Sequence, residues 1–142
     1  MADRTASAVW QGDLFGGDGT VSAVTSGLFS EAAISWPART EEPGGKTSPE
    51  ELIAAAHAAC FCMALSNELS TRGHPPTRLE AQATCTFVPG KGITTMAIDV
   101  TAEVPGVDEA GFREGLDAAE QSCPVSGALR GNVDIQVEGR LG

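Results

Sequence analysis

From Leu52 to Leu65 the chain reads Leu-Ile-Ala-Ala-Ala-His-Ala-Ala-Cys-Phe-Cys-Met-Ala-Leu, a run without a single charge. The residues before it carry a helix start. Ser48 is a natural N-cap, Pro49 suits the first helical position, and Glu51 completes an S-x-x-E capping box. Gly73 and the Pro75-Pro76 pair stop the helix near Thr71, so a helix is predicted over 49–71. A helix that is apolar all round must be buried on several sides. In so small a chain that requires either a wrapped sheet or a second copy of the molecule.

The flanking patterns are those of strands. Ala6 to Trp10 leads into a turn at Gly12-Asp13, and Gly16-Gly17-Asp18-Gly19 precedes a second strand, Thr20 to Thr25. A third extended stretch after Gly27 ends near Trp36-Pro37, and Arg39 to Thr47, with Pro43, Gly44 and Gly45, reads as an exposed loop. Beyond the helix, Leu79, Ala81, Ala83, Cys85 and Phe87 alternate with polar neighbours. A turn at Pro89-Gly90-Lys91-Gly92 returns the chain through Met96, Ile98 and Val100, which predicts a hairpin. A second amphipathic helix spans Asp108 to Gln121, with Phe112, Leu116 and Ala119 on one face. Ser122-Cys123-Pro124 breaks it, a short helical turn follows through Leu129, and Val133, Ile135 and Val137 form a last strand. Strands, helix, hairpin, helix and strand in that order describe an α+β fold.

Composition narrows the function classes. At 142 residues with 42% hydrophobic positions, residues 1–142 fit one domain. No continuous apolar run reaches the length of a membrane span, and Met1 to Trp10 has no secretory pattern, so a cytoplasmic protein without a membrane partner is expected. Nine basic against nineteen acidic residues, a net charge of -10, argue against a nucleic-acid partner, which is held by clustered Lys and Arg.

Four cysteines remain as candidate chemistry: Cys60, Cys62, Cys85 and Cys123. None forms a CxxC pair, and in a cytoplasmic chain they are thiols rather than structural disulfides. Cys60 and Cys62 lie about 200° apart around a helix and face opposite sides. Cys62 and Cys85 read as packed core, the usual fate of free cysteine. Cys123 precedes a helical turn, where the N–H groups of Val125 and Ser126 are free to point at its sulfur and stabilise thiolate. Spacing alone does not show whether Cys60 and Cys123 meet.

The segment from Ser48 to Phe61, Ser-Pro-Glu-Glu-Leu-Ile-Ala-Ala-Ala-His-Ala-Ala-Cys-Phe, resembles the central-helix motif of the OsmC/Ohr family. Cys123-Pro124-Val125-Ser126 resembles that family's second-cysteine motif. Val9-Trp10-Gln11-Gly12-Asp13 and Gly19-Thr20-Val21-Ser22 are more similar to the OsmC branch than to the organic hydroperoxide resistance branch. The resemblance implies an OsmC-like fold with antiparallel sheets around a long buried central helix, in an intertwined homodimer. It also implies a peroxidase with no metal or prosthetic group, reducing organic hydroperoxides at the expense of a dithiol reductant such as dihydrolipoamide or a lipoylated protein. Carried over by position, Cys60 is the peroxidatic cysteine, Cys123 the resolving one, and Glu50 and Arg39 the pair that supports the thiolate. The stretch Glu41-Glu42-Pro43-Gly44-Gly45, next to Arg39, departs from the family pattern.

Those roles suit the residue types. A free cysteine is a few per cent thiolate at neutral pH, and Arg39 could lower its pKa because a guanidinium stays charged. Glu50 could hold the guanidinium by a bidentate pair. Attack on peroxide would leave a sulfenic acid on Cys60, which Cys123 would close to a disulfide before overoxidation. Glu50 and Cys60 are separated by about 15 Å of helical rise, so sites shared between two chains are expected. His57, one turn before Cys60, reads as a hydrogen-bonded core residue rather than a base. Phe61, Met63 and Phe112 could line an apolar pocket. Two other classes stay open: a redox sensor or scaffold using the same cysteine pair without turnover, and a metal site built from Cys60, His57 and Cys123.

Overall fold

The computed structural model describes residues 1–142 and divides into two compact units, Met1–Leu52 and Ile53–Gly142. In the first unit, β1 (Ala6–Gln11), β2 (Asp18–Ala23) and β3 (Ala32–Ile34) form an antiparallel sheet in the order β1-β2-β3. The second strand thus starts and ends earlier than the expected Thr20 to Thr25. Val24 and Thr25 instead donate their N–H groups to the Thr5 carbonyl, outside the ladder. The expected third stretch shrinks to three residues because a short helix, α1 (Trp36–Thr40), takes over. Ser35 caps it, its Oγ accepting the Ala38 N–H at 3.2 Å, and Pro37 sits in its first turn. Arg39 therefore stands on a helix and not in a loop.

The long helix α2 (Pro49–Thr71) has the expected bounds and runs from the first unit into the second. Ser48 Oγ accepts the Glu51 N–H at 3.1 Å, as a capping box requires. The reciprocal half is missing, because the Glu51 carboxylate accepts the Thr47 hydroxyl at 2.7 Å instead. At the other end Gly73 takes φ 87°, a conformation that costs glycine little, and the His74 N–H closes on the Leu69 carbonyl at 2.9 Å.

In the second unit β4 (Arg78–Val88) and β5 (Gly92–Glu103) form the expected antiparallel hairpin. After it come α3 (Glu109–Ser122), α4 (Pro124–Leu129) and β6 (Asp134–Leu141). The sheet is not wholly antiparallel: β6 pairs with β5 in parallel. The reason is the connection, since two helices between β5 and β6 carry the chain back to the starting end of the sheet. Period-two alternation reports which face a residue takes and says nothing of strand direction.

One face of this sheet carries the core. Cys85, Met96 and Ile135 stand in one cross-strand row, and Ala83, Ile98 and Val137 in the next. Met96, Ile98, Val100 and Ala102 are buried with Phe112, Leu116 and Ala119 of α3 and with Phe61, Leu65 and Leu69 of α2. Gly115 permits the close approach of α3, since a Cβ there would meet Leu69 Cδ2 at 2.8 Å. Phe61 and Phe112 are thus core, while Met63 is 71% exposed and lines a surface pocket with Cys62 and Leu79.

Within this unit α2 buries Ala54, His57, Phe61, Leu65 and Leu69, one stripe at helical spacing. Ala55, Ala59 and Met63 on other faces remain exposed. With a mean hydropathy of 1.4 over its best 18-residue window, α2 is long and apolar enough to cross a membrane. That corrects the sequence reading, which stopped at the charge-free run ending in Leu65, although the six residues to Thr71 add only one charge, Glu68. Its buried stripe packs in the core described above, the part played by a core helix.

Candidate active site

Two constellations ride on α2, one in each unit. In the first, the guanidinium of Arg39 meets Glu50 with Nε at 2.8 Å and Nη2 at 2.7 Å, both on Oε1. Glu50 is 6% exposed, and its Oε2 is buried without a hydrogen-bond partner. The Arg39 guanidinium also lies 5.7 Å from the centre of the Trp36 ring, which Phe15 meets edge-on at 5.9 Å. Three restraints thus act on the cation: a carboxylate, an aromatic face and a capped helix. A cavity of about 270 Å³ beside it is lined by Trp10, Leu14, Ile34, Trp36 and Pro49 as well as Arg39.

In the second unit the sulfurs of Cys60 and Cys123 stand 3.1 Å apart, both as free thiols sharing a hydrogen bond. Closing a disulfide from there needs about 1 Å of movement, since the bond itself is about 2.05 Å. Cys123 is at once the C-cap of α3 and the N-cap of α4, and its Sγ accepts the Ser126 N–H at 3.5 Å. Cys62 points elsewhere, toward the backbone of Ala81 on β4.

The two thiols differ in charge preference. Burial pushes the Cys60 thiol up; the Val125 N–H opposes this, while the hydrogen bond and charge of Cys123 add to it. Burial acts in the same direction on Cys123, but the Ser126 N–H, Cys60, the Ser126 hydroxyl and the Val125 N–H outweigh it and hold the thiol below its ordinary value. Within this unit the pair's negative charge therefore prefers Cys123. Accessibility runs the other way: Cys60 is partly exposed and Cys123 is 1% exposed.

His57 and Ser126 are fully buried, with His57 Nε2 2.7 Å from Ser126 Oγ. Burial lowers the His57 pKa, against a smaller upward pull from Glu120, so the ring is neutral at pH 7. The metal set of Cys60, His57 and Cys123 does not assemble, and no group of three or more His, Cys, Asp or Glu side chains is placed to hold an ion. Sequence reasoning missed Ser126 as the partner of His57 and Trp36 as the platform under Arg39. The first had a signal, because a serine three residues after an N-cap faces back along its own helix.

A family model described as OsmC-like protein matches residues 42–138, and this stretch contains Glu50, Cys60 and Cys123. The chain belongs to the OsmC family. It is 37% identical over 138 residues to the peroxiredoxin OsmC of Escherichia coli (strain K12), covering 95% of each chain. Against the organic hydroperoxide resistance protein of Xanthomonas axonopodis pv. citri (strain 306), identity is 34% over 120 residues, 80% of this chain and 81% of the other. Among solved structures, an organic hydroperoxide resistance protein OsmC from Legionella pneumophila superposes with a TM-score of 0.68 at 26% identity, covering 98% of both chains. An OsmC-like protein from Mycoplasma pneumoniae reaches 0.74 at 17% identity over 99% of this chain and 97% of that one, a likeness of fold alone. Arg39 lies outside the stretch matched by the OsmC-like model.

Proposed function

We propose that this OsmC-family chain is a thiol peroxidase that reduces organic hydroperoxides to alcohols, working as a homodimer. The observation that carries the reading is the pair of free sulfurs 3.1 Å apart, one reachable by solvent and the other sealed. The names of the relatives, peroxiredoxin and organic hydroperoxide resistance protein, support the same chemistry.

In the proposed cycle Cys60 is the attacking sulfur because peroxide can reach it. Once the pair has lost one proton to solvent, the proton that remains sits on Cys123 across the 3.1 Å contact, leaving thiolate on Cys60. That sulfur attacks the terminal peroxide oxygen, the O–O bond breaks, and the alkoxide leaves and takes the proton held by Cys123 to become alcohol. Cys60 becomes a sulfenic acid. Cys123 then attacks the sulfenic sulfur, a disulfide forms, and water leaves. A dithiol restores both thiols by exchange and is itself oxidised to a disulfide.

The Arg39–Glu50 pair would supply the charge that favours thiolate on Cys60. Its carboxylate stands in the first turn of α2, about 15 Å of helical rise before Cys60, while Arg39 stands on α1, so we place its action across a dimer in which two chains complete each site. A lone chain leaves apolar surface that such a dimer would cover. Phe15 is 71% and Leu28 82% exposed in the first unit, as is Met63 at 71% in the second. The apolar cavity beside Arg39 would favour an alkyl or aryl hydroperoxide over hydrogen peroxide.

A steady-state assay with dihydrolipoamide as reductant tests this reading. Cumene hydroperoxide should be consumed over many turnovers and faster than hydrogen peroxide. A single stoichiometric oxidation that then stops would instead mark a redox switch without turnover.

A further inference from the structure

Two contacts join α2 to α4, one helical turn apart. Cys60 meets Cys123 at 3.1 Å, and His57, three residues before Cys60, meets Ser126, three residues after Cys123, at 2.7 Å. We propose that His57 and Ser126 form a hydrogen-bond relay that holds Cys123 as the nucleophile of the resolving step, with His57 as its positioning residue. This rests on the peroxidase reading and adds to it the residues that make disulfide closure outrun overoxidation.

The direction of the relay follows from the hydrogen-bond inventory. A neutral imidazole carries one N–H, and His57 Nδ1 is buried without a partner. A buried N–H left unpaired is rarer and costlier than a buried lone pair. The proton therefore belongs on Nε2, which donates to Ser126 Oγ. That acceptance leaves the single hydroxyl proton of Ser126 free to turn toward Cys123, whose Sγ accepts the Ser126 backbone N–H at 3.5 Å. The backbone N–H of Ser126 thus holds that sulfur, and His57 fixes which way the neighbouring hydroxyl points. Without His57 the Ser126 hydroxyl loses the partner that holds it at 2.7 Å and is free to rotate.

The step served is balanced as follows. The Cys123 thiolate donates an electron pair to the Cys60 sulfenic sulfur, the S–S bond forms and the S–O bond breaks. Hydroxide leaves and takes a proton from solvent to become water. Peroxide attack at Cys60 competes with this step for the same sulfenic acid. Weakening the relay should therefore alter the partition between the two outcomes, which mere loss of stability does not do in the folded fraction.

The experiment uses full-length chains treated with cumene hydroperoxide. Stopped-flow gives the rates of sulfenic acid formation and disulfide closure, and mass spectrometry the ratio of Cys60–Cys123 disulfide to Cys60 sulfinic acid. Ser126→Ala should lower the ratio of closure to attack by about tenfold, the scale of one net hydrogen bond, with a matching rise in sulfinic acid. His57→Leu should do the same, the double variant should be no worse than either single one, and His57→Gln should recover most of the ratio by restoring a donor near Nε2. Because Ser126→Ala removes one atom, it keeps the test open if His57→Leu fails to fold. An unchanged closure-to-attack ratio in Ser126→Ala, with wild type closing normally, overturns the relay. Absence of the Cys60–Cys123 disulfide in oxidised wild type overturns the peroxidase cycle itself, a different result.

Discussion

The two sheets of this molecule are both three-stranded, yet they treat their apolar residues in opposite ways. In the β4-β5-β6 sheet, Met96, Ile98, Val100 and Ala102 are sealed beneath α2 and α3, and the polar positions alternate outward. In the β1-β2-β3 sheet every residue of β1 is exposed, Val9 and Trp10 included. The first case is a core complete within its own unit; the second leaves apolar side chains exposed. The chemistry divides the same way. The sulfur pair lies in the self-sufficient unit, while the cation and its carboxylate lie in the unit whose apolar surface is open. A redox pair must keep its sulfurs in register through repeated closing and opening, which a rigid core provides. If the site is completed between chains as proposed, a charge that acts on it belongs on the surface that would make the contact.

The most severe test of that division mixes two defective chains. Cys60→Ser should abolish turnover, because a hydroxyl stays protonated and is a poor nucleophile toward peroxide. Arg39→Met should lower it by about a hundredfold, on the scale of a lost pKa-lowering cation of roughly 2 to 3 kcal/mol. Co-expressed and co-purified, the two variants should regain a substantial part of wild-type activity if each site takes Cys60 from one chain and Arg39 from the other. No recovery would put both residues of a site on one chain.

Smaller in effect, a pair of truncations sharpens the contrast between the sheets. Phe112→Ala should destabilise the chain by about 3 to 5 kcal/mol, since it empties a closed core. Leu28→Ser, at a side chain 82% exposed in the single chain, should leave intrinsic stability within about 0.5 kcal/mol. It should instead raise the protein concentration at which dimer dissociates. Urea denaturation and sedimentation velocity separate the two, and equal losses of stability would erase the distinction between sealed and open sheet.

The mildest test concerns charge within the sulfur pair. Both the hydrogen bond and the charge of Cys123 push the Cys60 thiol up. Cys123→Ala removes both, so the pH midpoint for alkylation of Cys60 should fall. Iodoacetamide labelling followed by mass spectrometry reads it directly. A midpoint that rises would mean that Cys123 helps Cys60 ionise.

What was legible in the sequence follows from the range of the forces involved. Helix α2 could be read to its end residues because caps, proline and glycine act within one turn, and Ser48, Pro49 and Gly73 stand where those signals require. The hairpin, α3 and the turn of helix after Cys123 were legible from similarly local signals. The family could be read because its two cysteine motifs are local strings. Helix α1 was missed although Ser35 and Pro37 signal it, since five residues carry no hydrophobic period. The capping box was read as reciprocal, but a hydroxyl next to it, Thr47, took the carboxylate.

Tertiary structure decided the rest. The parallel course of β6 depends on the path of α3 and α4, which strand periodicity does not encode. The meeting of Cys60 with Cys123, 63 residues apart, and of His57 with Ser126, 69 apart, depends on two helices being pressed together by a core neither contains alone. So does the contrast between the thiols, for burial and hydrogen bonding set it, and both are properties of surroundings. A sequence carries the periodicities and caps that act over a few residues; the distance between two sulfurs exists only once the chain has closed on itself.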